Sequence, residues 1–335
     1  MTPAETMEKL EALVRAKTGD ARARVHTLGD LPGHAGFSFS FVLERSDGRA
    51  PSGKMVIRIA APGVKISGPA DIERQARIME SMTEGTSRIP VPPVYWHGAE
   101  PEFFGRPYMV VGFVPGFKLH ESELADGHVK RLAGKAIQML VALHELPWQP
   151  RVSAFGPPFP LPEEMRRLDF MLDRPTLDPA MVIGAAKLRE RLAASLPADP
   201  RIGCVHGDFQ WANILYDAEQ PIALIDWEIS LIGPVLLDLG WTSFFADRES
   251  FVGGFFVVPP LLSPAEIADI YASAASFPVR DDQVRWFRAF SGYRFGVITC
   301  FNTMLHRRGK REDPIWESVA PSAARMFERA LELLG

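Results

Sequence analysis

Three oxygen-bearing side chains stand close together in the chain: Asp208 and Asn213 in V-H-G-D-F-Q-W-A-N, and Asp226 in I-A-L-I-D-W-E. A carboxylate can orient a hydroxyl group and accept its proton. An amide oxygen and a second carboxylate are hard donors of the kind Mg²⁺ prefers, an ion held by one or two protein oxygens together with phosphates and water. Phosphoryl transfer combines these needs, because the moving group requires positioning and charge neutralisation more than covalent help. The plain alternative is that Asp208 and Asn213 are turn formers in a hairpin loop. His206-Gly207 ahead of Asp208, and Asp226 lying between an apolar run and Trp227, argue for chemistry.

The surrounding pattern gives these groups a frame. An apolar run from Ile202 to Val205 enters a polar loop, 206–212. A second run, Ile214 to Tyr216, leads through a turn at 217–221 into a third, Ile222 to Ile225. Strand, loop, strand, turn, strand is the simplest reading. The spacing Asp-x-x-x-x-Asn is that of a kinase catalytic loop.

At V-H-G-D-F-Q-W-A-N-I-L-Y-D, I-A-L-I-D-W-E and G-P-V-L-L-D-L-G-W the chain resembles the aminoglycoside phosphotransferase and choline-kinase-like family, small-molecule kinases with the protein-kinase-like fold. The resemblance spans most of the chain. It implies an α+β, bilobal fold: a small N-terminal lobe with an antiparallel sheet, residues 1–114, and a larger, mainly helical C-terminal lobe, residues 115–335. It also implies Mg²⁺, ATP or GTP as co-substrate, and a small-molecule hydroxyl as acceptor. Asp208 is then the catalytic carboxylate, Asn213 and Asp226 hold the metal, and Asp238 braces the catalytic loop.

In the N-terminal part, residues 3–17 carry helix-spaced apolar positions, and 24–28 and 37–43 read as strands around Gly29, Gly33 and Gly36. A glycine-containing hairpin lets backbone N–H groups approach phosphate; the resemblance assigns that role to Gly36 and Ser38. Lys54 to Ala60 reads as a third strand, and Arg58 matches the family's phosphate-pairing basic residue. An arginine fork differs in geometry from a lysine. The helix expected over 71–82 departs from the family pattern, with Gln75 where a glutamate usually stands and Glu73 two residues earlier. Residues i and i+2 do not share a helix face, so either Glu73 pairs with Arg58 or Gln75 gives it a neutral hydrogen bond. Strands at 95–98 and 106–114 precede Pro115-Gly116, a breaker. The resemblance makes this the hinge, with Gly112 and Val114 as backbone contacts to the nucleotide base.

Further on, helices are expected over 129–146, 162–173 and 178–195. Ser263-Pro-Ala-Glu266 spells a capping box with Pro at the first helical position. A long helix starts near Asp281, a loop covers 306–311, and a last helix runs over 322–334. His144 and His206 read as structural histidines. Residues 239–301, where the resemblance places acceptor-binding helices, hold six acidic residues, five arginines and fourteen aromatics. With no acidic excess, the acceptor is expected to be less charged and more apolar than an aminoglycoside.

Composition sets the outer bounds. The 335 residues are 47% hydrophobic and carry a net charge of −4 with mixed signs. No nucleic-acid surface or membrane partner is expected. Two cysteines in apolar settings, no apolar run long enough for a bilayer and no signal-like start fit a cytoplasmic location. Oligomeric state is left open. Rival readings are a protein kinase, which lacks its Arg after His206 and an A-P-E segment; a non-catalytic nucleotide-binding relative; an antibiotic phosphotransferase; and a metal hydrolase, which lacks the further His/Asp ligands such a site needs.

Overall fold

The computed structural model describes residues 3–31, 37–61, 66–68, 71–85, 89–254 and 258–335. In chain order the elements are α1 (Pro3–Thr18), β1 (Arg24–Asp30), β2 (Phe37–Glu44), β3 (Gly53–Ile59), α2 (Ile72–Met82), β4 (Val94–Gly98), β5 (Tyr108–Gly112), α3 (Asp126–Glu145), α4 (Val152–Phe155), α5 (Leu161–Leu172), α6 (Ala185–Ala194), β6 (Ile202–Val205), β7 (Ile214–Tyr216), β8 (Pro221–Leu224), β9 (Leu231–Pro234), α7 (Leu236–Phe245), α8 (Pro264–Ala274), α9 (Asp281–Arg307), α10 (Ile315–Val319) and α11 (Ala323–Leu334). Sheet and helices segregate along the chain, the α+β class expected from the sequence. Among the described residues no helix is long and apolar enough to cross a membrane.

The chain divides into two compact units. The first comprises residues 1–116, 153–155 and 222–229; the second comprises 117–152, 156–221 and 230–335. The segment 222–229, which carries Asp226, groups with the first unit although it lies far beyond position 114. Within that unit Leu224 N–H donates to Pro90 O at 2.8 Å.

The first unit is built on an antiparallel sheet in the order β1-β2-β3-β5-β4. Along β3, Met55, Ile57 and Ile59 are buried while Lys54, Val56 and Arg58 point to the other face. The buried set packs with Leu10, Leu13 and Val14 of α1, Phe41 and Leu43 of β2, and Tyr108 and Val110 of β5. This alternation delivers the Arg58 side chain away from the core. Helix α2 starts at Asp71, whose carboxylate accepts the Arg74 N–H at 2.9 Å. Its inner face is Ile72, Gln75, Ala76, Ile78, Met79 and Met82.

The second unit is mainly helical. Helix α9 packs against α5, α6, α7, α10 and α11. The pair β6 and β9 is antiparallel, with Val205 opposite Leu231. Helix α8 opens with the expected capping box: Ser263 Oγ accepts Glu266 N–H and the Glu266 carboxylate accepts Ser263 N–H. Other expectations are amended. Helix α6 covers only Ala185–Ala194 of the region 178–195. Helix α9 continues to Arg307, so the loop expected from 306 begins later. The elements α4, β9, α7 and α10 were not foreseen.

Candidate active site

The loop after β6 is fixed before any ligand is considered. Asp238, fully buried near the start of α7, accepts His206 N–H on Oδ2 and Gly207 N–H on Oδ1, each at 2.7 Å. His144 Nε2 lies 3.1 Å from the same Oδ2, and His144 Nδ1 lies 2.6 Å from the Tyr271 hydroxyl. Gly207 holds φ +88, a conformation other residues rarely adopt, and the loop turns there. Ser230 Oγ donates to His206 O at 2.8 Å, and Thr242 Oγ1 donates to Phe209 O at 2.6 Å. His206 is fully buried, and its Nδ1 receives the Asp208 N–H at 3.3 Å. It is a loop-shaping residue.

These contacts present the half-buried Asp208. Its Oδ2 accepts from Gln210 Nε2 and Asn213 Nδ2, both at 2.9 Å; its Oδ1 accepts from Trp241 Nε1 at 2.8 Å. Asn213 Nδ2 also reaches Asp208 O at 2.9 Å. The amide nitrogen of Asn213 is therefore committed to the loop. Among the described residues its amide oxygen accepts no hydrogen bond, which suits a hard cation.

Behind the loop sits Arg294, buried on α9. Its Nη1 donates to Gly207 O at 3.2 Å, its guanidinium lies 4.7 Å from the Trp241 ring centre, and its Nε is 3.4 Å from Glu164. Glu164 also takes a two-pronged contact from Arg167, at 2.7 and 2.8 Å. Burial pushes the Glu164 carboxyl up, but the Arg167 hydrogen bonds and the two guanidinium charges outweigh it and hold the group below its ordinary value.

In the first unit Arg58 is the centre. Its Nη1 donates to Gln75 Oε1 at 3.2 Å and to Asp226 Oδ1 at 3.4 Å, and Nη2 lies 3.8 Å from Glu228. The helix residue that reaches Arg58 is thus Gln75. Glu73, the other of the two candidates, makes no ion pair with Arg58 among the described residues, because it lies on a different face of α2. Asp226 is a non-glycine residue at φ +67, the kind of backbone conformation that persists only where its surroundings enforce it. Trp227 helps: its ring is buried and Nε1 donates to Leu224 O at 2.9 Å. The long contacts of Arg58 leave much of its five-donor fork open to an anion.

The remaining sequence candidates are placed as follows. Ser38 sits opposite Arg58 in the β2–β3 register. Gly36 lies outside the described residues. Gly112 N–H is engaged by Pro93 O at 2.9 Å, and a Cβ there would meet the Pro93 ring at 2.7 Å. Its N–H is therefore already engaged, which does not bear on a base contact through its carbonyl. Val114 follows the end of β5 and is half-buried; its carbonyl accepts Gly116 N–H at 2.9 Å. Sequence reasoning missed Trp241 and Arg294. In the sequence Trp241 is only the end of D-L-G-W, and Arg294 is one arginine among aromatics at helical spacing. Glu228, left unassigned from sequence, falls beside Arg58.

Comparison with known proteins identifies the family and the fold. The sequence model described as the phosphotransferase enzyme family matches residues 31–259, more than half of the chain. A Ralstonia eutropha JMP134 protein provisionally assigned as an aminoglycoside phosphotransferase shares the fold with a TM-score of 0.75 at 18% identity, covering 97% of this chain and 98% of that one. A choline/ethanolamine kinase family protein from Mesorhizobium loti gives 0.60 at 17% identity, over 98% of this chain and 95% of that one. Aminoglycoside phosphotransferase APH(4)-Ia, in a ternary complex with AMP-PNP and hygromycin B, gives 0.59 at 16% identity, over 97% and 98%. The fold is therefore the protein-kinase-like one. Among curated sequences the chain is 24% identical to the Arabidopsis thaliana protein named Probable acyl-CoA dehydrogenase IBR3, over 79% of this chain and 35% of that one. It is also 24% identical to acyl-CoA dehydrogenase family member 10 of Mus musculus, over 56% and 18%. The chain thus spans about a third or less of the length of these relatives.

Proposed function

Because the chain belongs to the phosphotransferase enzyme family, whose members act on alcohol acceptors, we propose that it transfers the γ-phosphoryl group of ATP or GTP to a hydroxyl of a small molecule that is not strongly cationic. The observation that carries this reading is Asp208: a half-buried carboxylate with both oxygens held by hydrogen bonds on a loop braced by Asp238. Such a group orients a hydroxyl and receives its proton. Carboxylates are weak bases, so positioning contributes more than proton abstraction.

Asn213, through its amide oxygen, and Asp226 would hold Mg²⁺. When bound, that ion neutralises charge on the nucleotide phosphates. Arg58 pairs with phosphate oxygens, and Ser38 and Gly36 serve the same end of the nucleotide. Val114 contacts the base through its backbone. Gln75 keeps Arg58 in place with a neutral hydrogen bond, the second of the two alternatives the sequence leaves open.

The acceptor class rests on Trp241, Phe245 and Phe295, which pack together with centroid separations of 4.6 to 5.8 Å beside Asp208. A polycation such as an aminoglycoside would want acidic neighbours, and the aromatic grouping favours an apolar hydroxyl compound. The curated relatives named acyl-CoA dehydrogenases make hydroxylated acyl compounds a natural part of any substrate library. We place the enzyme in the cytoplasm, since both cysteines are buried free thiols.

Thermal unfolding with Mg²⁺ and ATP, or GTP, tests the reading, because a ligand that binds the native state raises its stability. The expected result is a nucleotide shift that requires Mg²⁺ and disappears in Asp226→Ala. Absence of any shift overturns it. One rival has an observation in its favour: the neutral Gln75–Arg58 contact in place of an ion pair fits a non-catalytic nucleotide-binding module. Asp208→Asn separates the two. An enzyme loses turnover and keeps nucleotide binding, whereas a binding module is indifferent.

A further inference from the structure

The hydrogen bonds on Asp208 are unequal, and the inequality has a consequence for the reaction. A carboxylate oxygen has two in-plane lone-pair positions. Oδ2 already receives two donors, Gln210 Nε2 and Asn213 Nδ2. Oδ1 receives one, Trp241 Nε1. We infer that Trp241 is a positioning residue for the phosphoryl transfer: its indole N–H fixes the Asp208 carboxylate so that Oδ1, with one lone pair left, is the atom that takes the acceptor's proton. This rests on the phosphotransferase reading above and names the working atom within it.

The indole is built to hold this direction. Trp241 is 4% exposed. Phe245 packs at 4.9 Å and Phe295 meets it edge-on at 5.8 Å, while the Arg294 guanidinium lies 4.7 Å from its ring centre. Arg294 is itself tied to the catalytic loop through Gly207 O. The preceding residue, Gly240, lets α7 approach α9 closely: a Cβ there would sit 2.5 Å from Phe287 O. Ring, loop and helix are thus fixed together, with the N–H given to Asp208 Oδ1.

In the transfer, the acceptor oxygen forms a bond to the γ-phosphorus. The bond from that phosphorus to the β–γ bridging oxygen breaks, and its electron pair leaves with the nucleoside diphosphate. The acceptor's proton goes to Asp208 Oδ1. Water in place of the alcohol gives inorganic phosphate by the same balance.

Hydrolysis of Mg²⁺–ATP by the full chain, followed by phosphate release, tests this without knowledge of the acceptor. Wild type, Asp208→Asn, Trp241→Phe and Gln210→Leu are compared. Trp241→Phe keeps an aromatic ring and removes the donor together with the second ring of the indole. The expected result is a kcat lower by about 10- to 100-fold, with KM for ATP near that of wild type and a thermal midpoint lowered by the cavity that the smaller ring leaves. Gln210→Leu should lose less, since Asn213 still holds Oδ2. A Trp241→Phe enzyme with wild-type kcat, or one whose loss lies in KM, overturns the inference while Asp208-dependent hydrolysis by wild type sustains the phosphotransferase reading. Wild-type hydrolysis that is absent, or equal to that of Asp208→Asn, overturns both. Should Trp241→Phe fail to fold, Trp241→His, a smaller ring that retains a donor, is measured beside Trp241→Leu. Retained turnover in the first and loss in the second support the role, and equal turnover refutes it.

Discussion

At the scale of single residues, Asp238 has the largest leverage on the loop. Both of its oxygens accept backbone N–H groups, of His206 and Gly207, and it is fully buried. Asp238→Asn replaces one acceptor by an NH₂ group facing a buried donor. We expect a loss of about 3 kcal/mol, the usual cost of breaking a buried charged pairing from one side, read from urea unfolding midpoints. Turnover should fall as well, because Asp208 is carried by the same loop. An unchanged midpoint would mean the loop is held by its other contacts, those of Ser230 and Thr242. The cysteines give an independent check on burial. Desolvation pushes the Cys204 thiol up to about 11 and the Cys300 thiol up to about 12. Thiolate is the reactive form, so neither should react with dithionitrobenzoate at pH 8 until the chain unfolds. Rapid labelling of the native protein would contradict the packing described for β6 and α9.

At the scale of elements, the close contact of α7 with α9 decides where Trp241 points. In Gly240→Ala the new methyl would meet Phe287 O and Arg288 N, at 2.5 and 2.9 Å, both backbone atoms of α9 that cannot give way locally. Helix α7 must move, at about 1–3 kcal/mol for an overpacked contact. Phosphate release should drop along with stability, and normal activity at full stability would show that the approach is looser than drawn. That α7 is a helix was not legible. In L-L-D-L-G-W-T-S-F-F nine of the ten residues are buried, the polar Asp238, Thr242 and Ser243 included, so no solvent-facing side marks a 3.6-residue period. By contrast Ser263-Pro-Ala-Glu266 could be read directly, because capping chemistry is local and needs no partner from elsewhere. The loop from His206 to Asn213 was legible for a similar reason: its residue types and spacing are set by short-range geometry. The partner of Arg58 on α2 was legible only as a choice between Glu73 and Gln75, since the turn of the helix that faces β3 is decided by tertiary packing. Trp241 and Arg294 were invisible as site residues, because a hydrogen bond across 33 positions leaves no trace in spacing.

At the scale of the molecule, the sequence carried the α+β class and the order of most elements, since hydrophobic periodicity and turn residues report these. It did not carry the grouping of residues 222–229 with the first unit, which depends on a contact such as Leu224 with Pro90 far away in the chain. The second unit also has a charge economy that no local pattern reveals. Asp247, nearly buried, is clasped by Arg329 Nε at 2.8 Å and by Arg288, joining the end of α7 to α9 and α11. Burial pushes this carboxyl up; the Arg329 hydrogen bond and the two guanidinium charges hold it below its ordinary value all the same. Glu164 is held down in the same way by Arg167 and Arg294. A carboxyl whose folded pKa is depressed contributes stability that is complete above its unfolded pKa and is lost as pH falls through the folded one. Thermal midpoints should therefore be level in this respect near neutrality and fall steadily below the ordinary carboxylate range, toward pH 3. The falling arm should be shallower in Asp247→Asn, which has one fewer depressed carboxyl to protonate and a lower midpoint at pH 7 because Arg288 and Arg329 lose their shared anion. A wild-type midpoint that stays flat down to pH 3, or an Asp247→Asn curve parallel to wild type, would show that the arginine clasp does not couple folding to protonation.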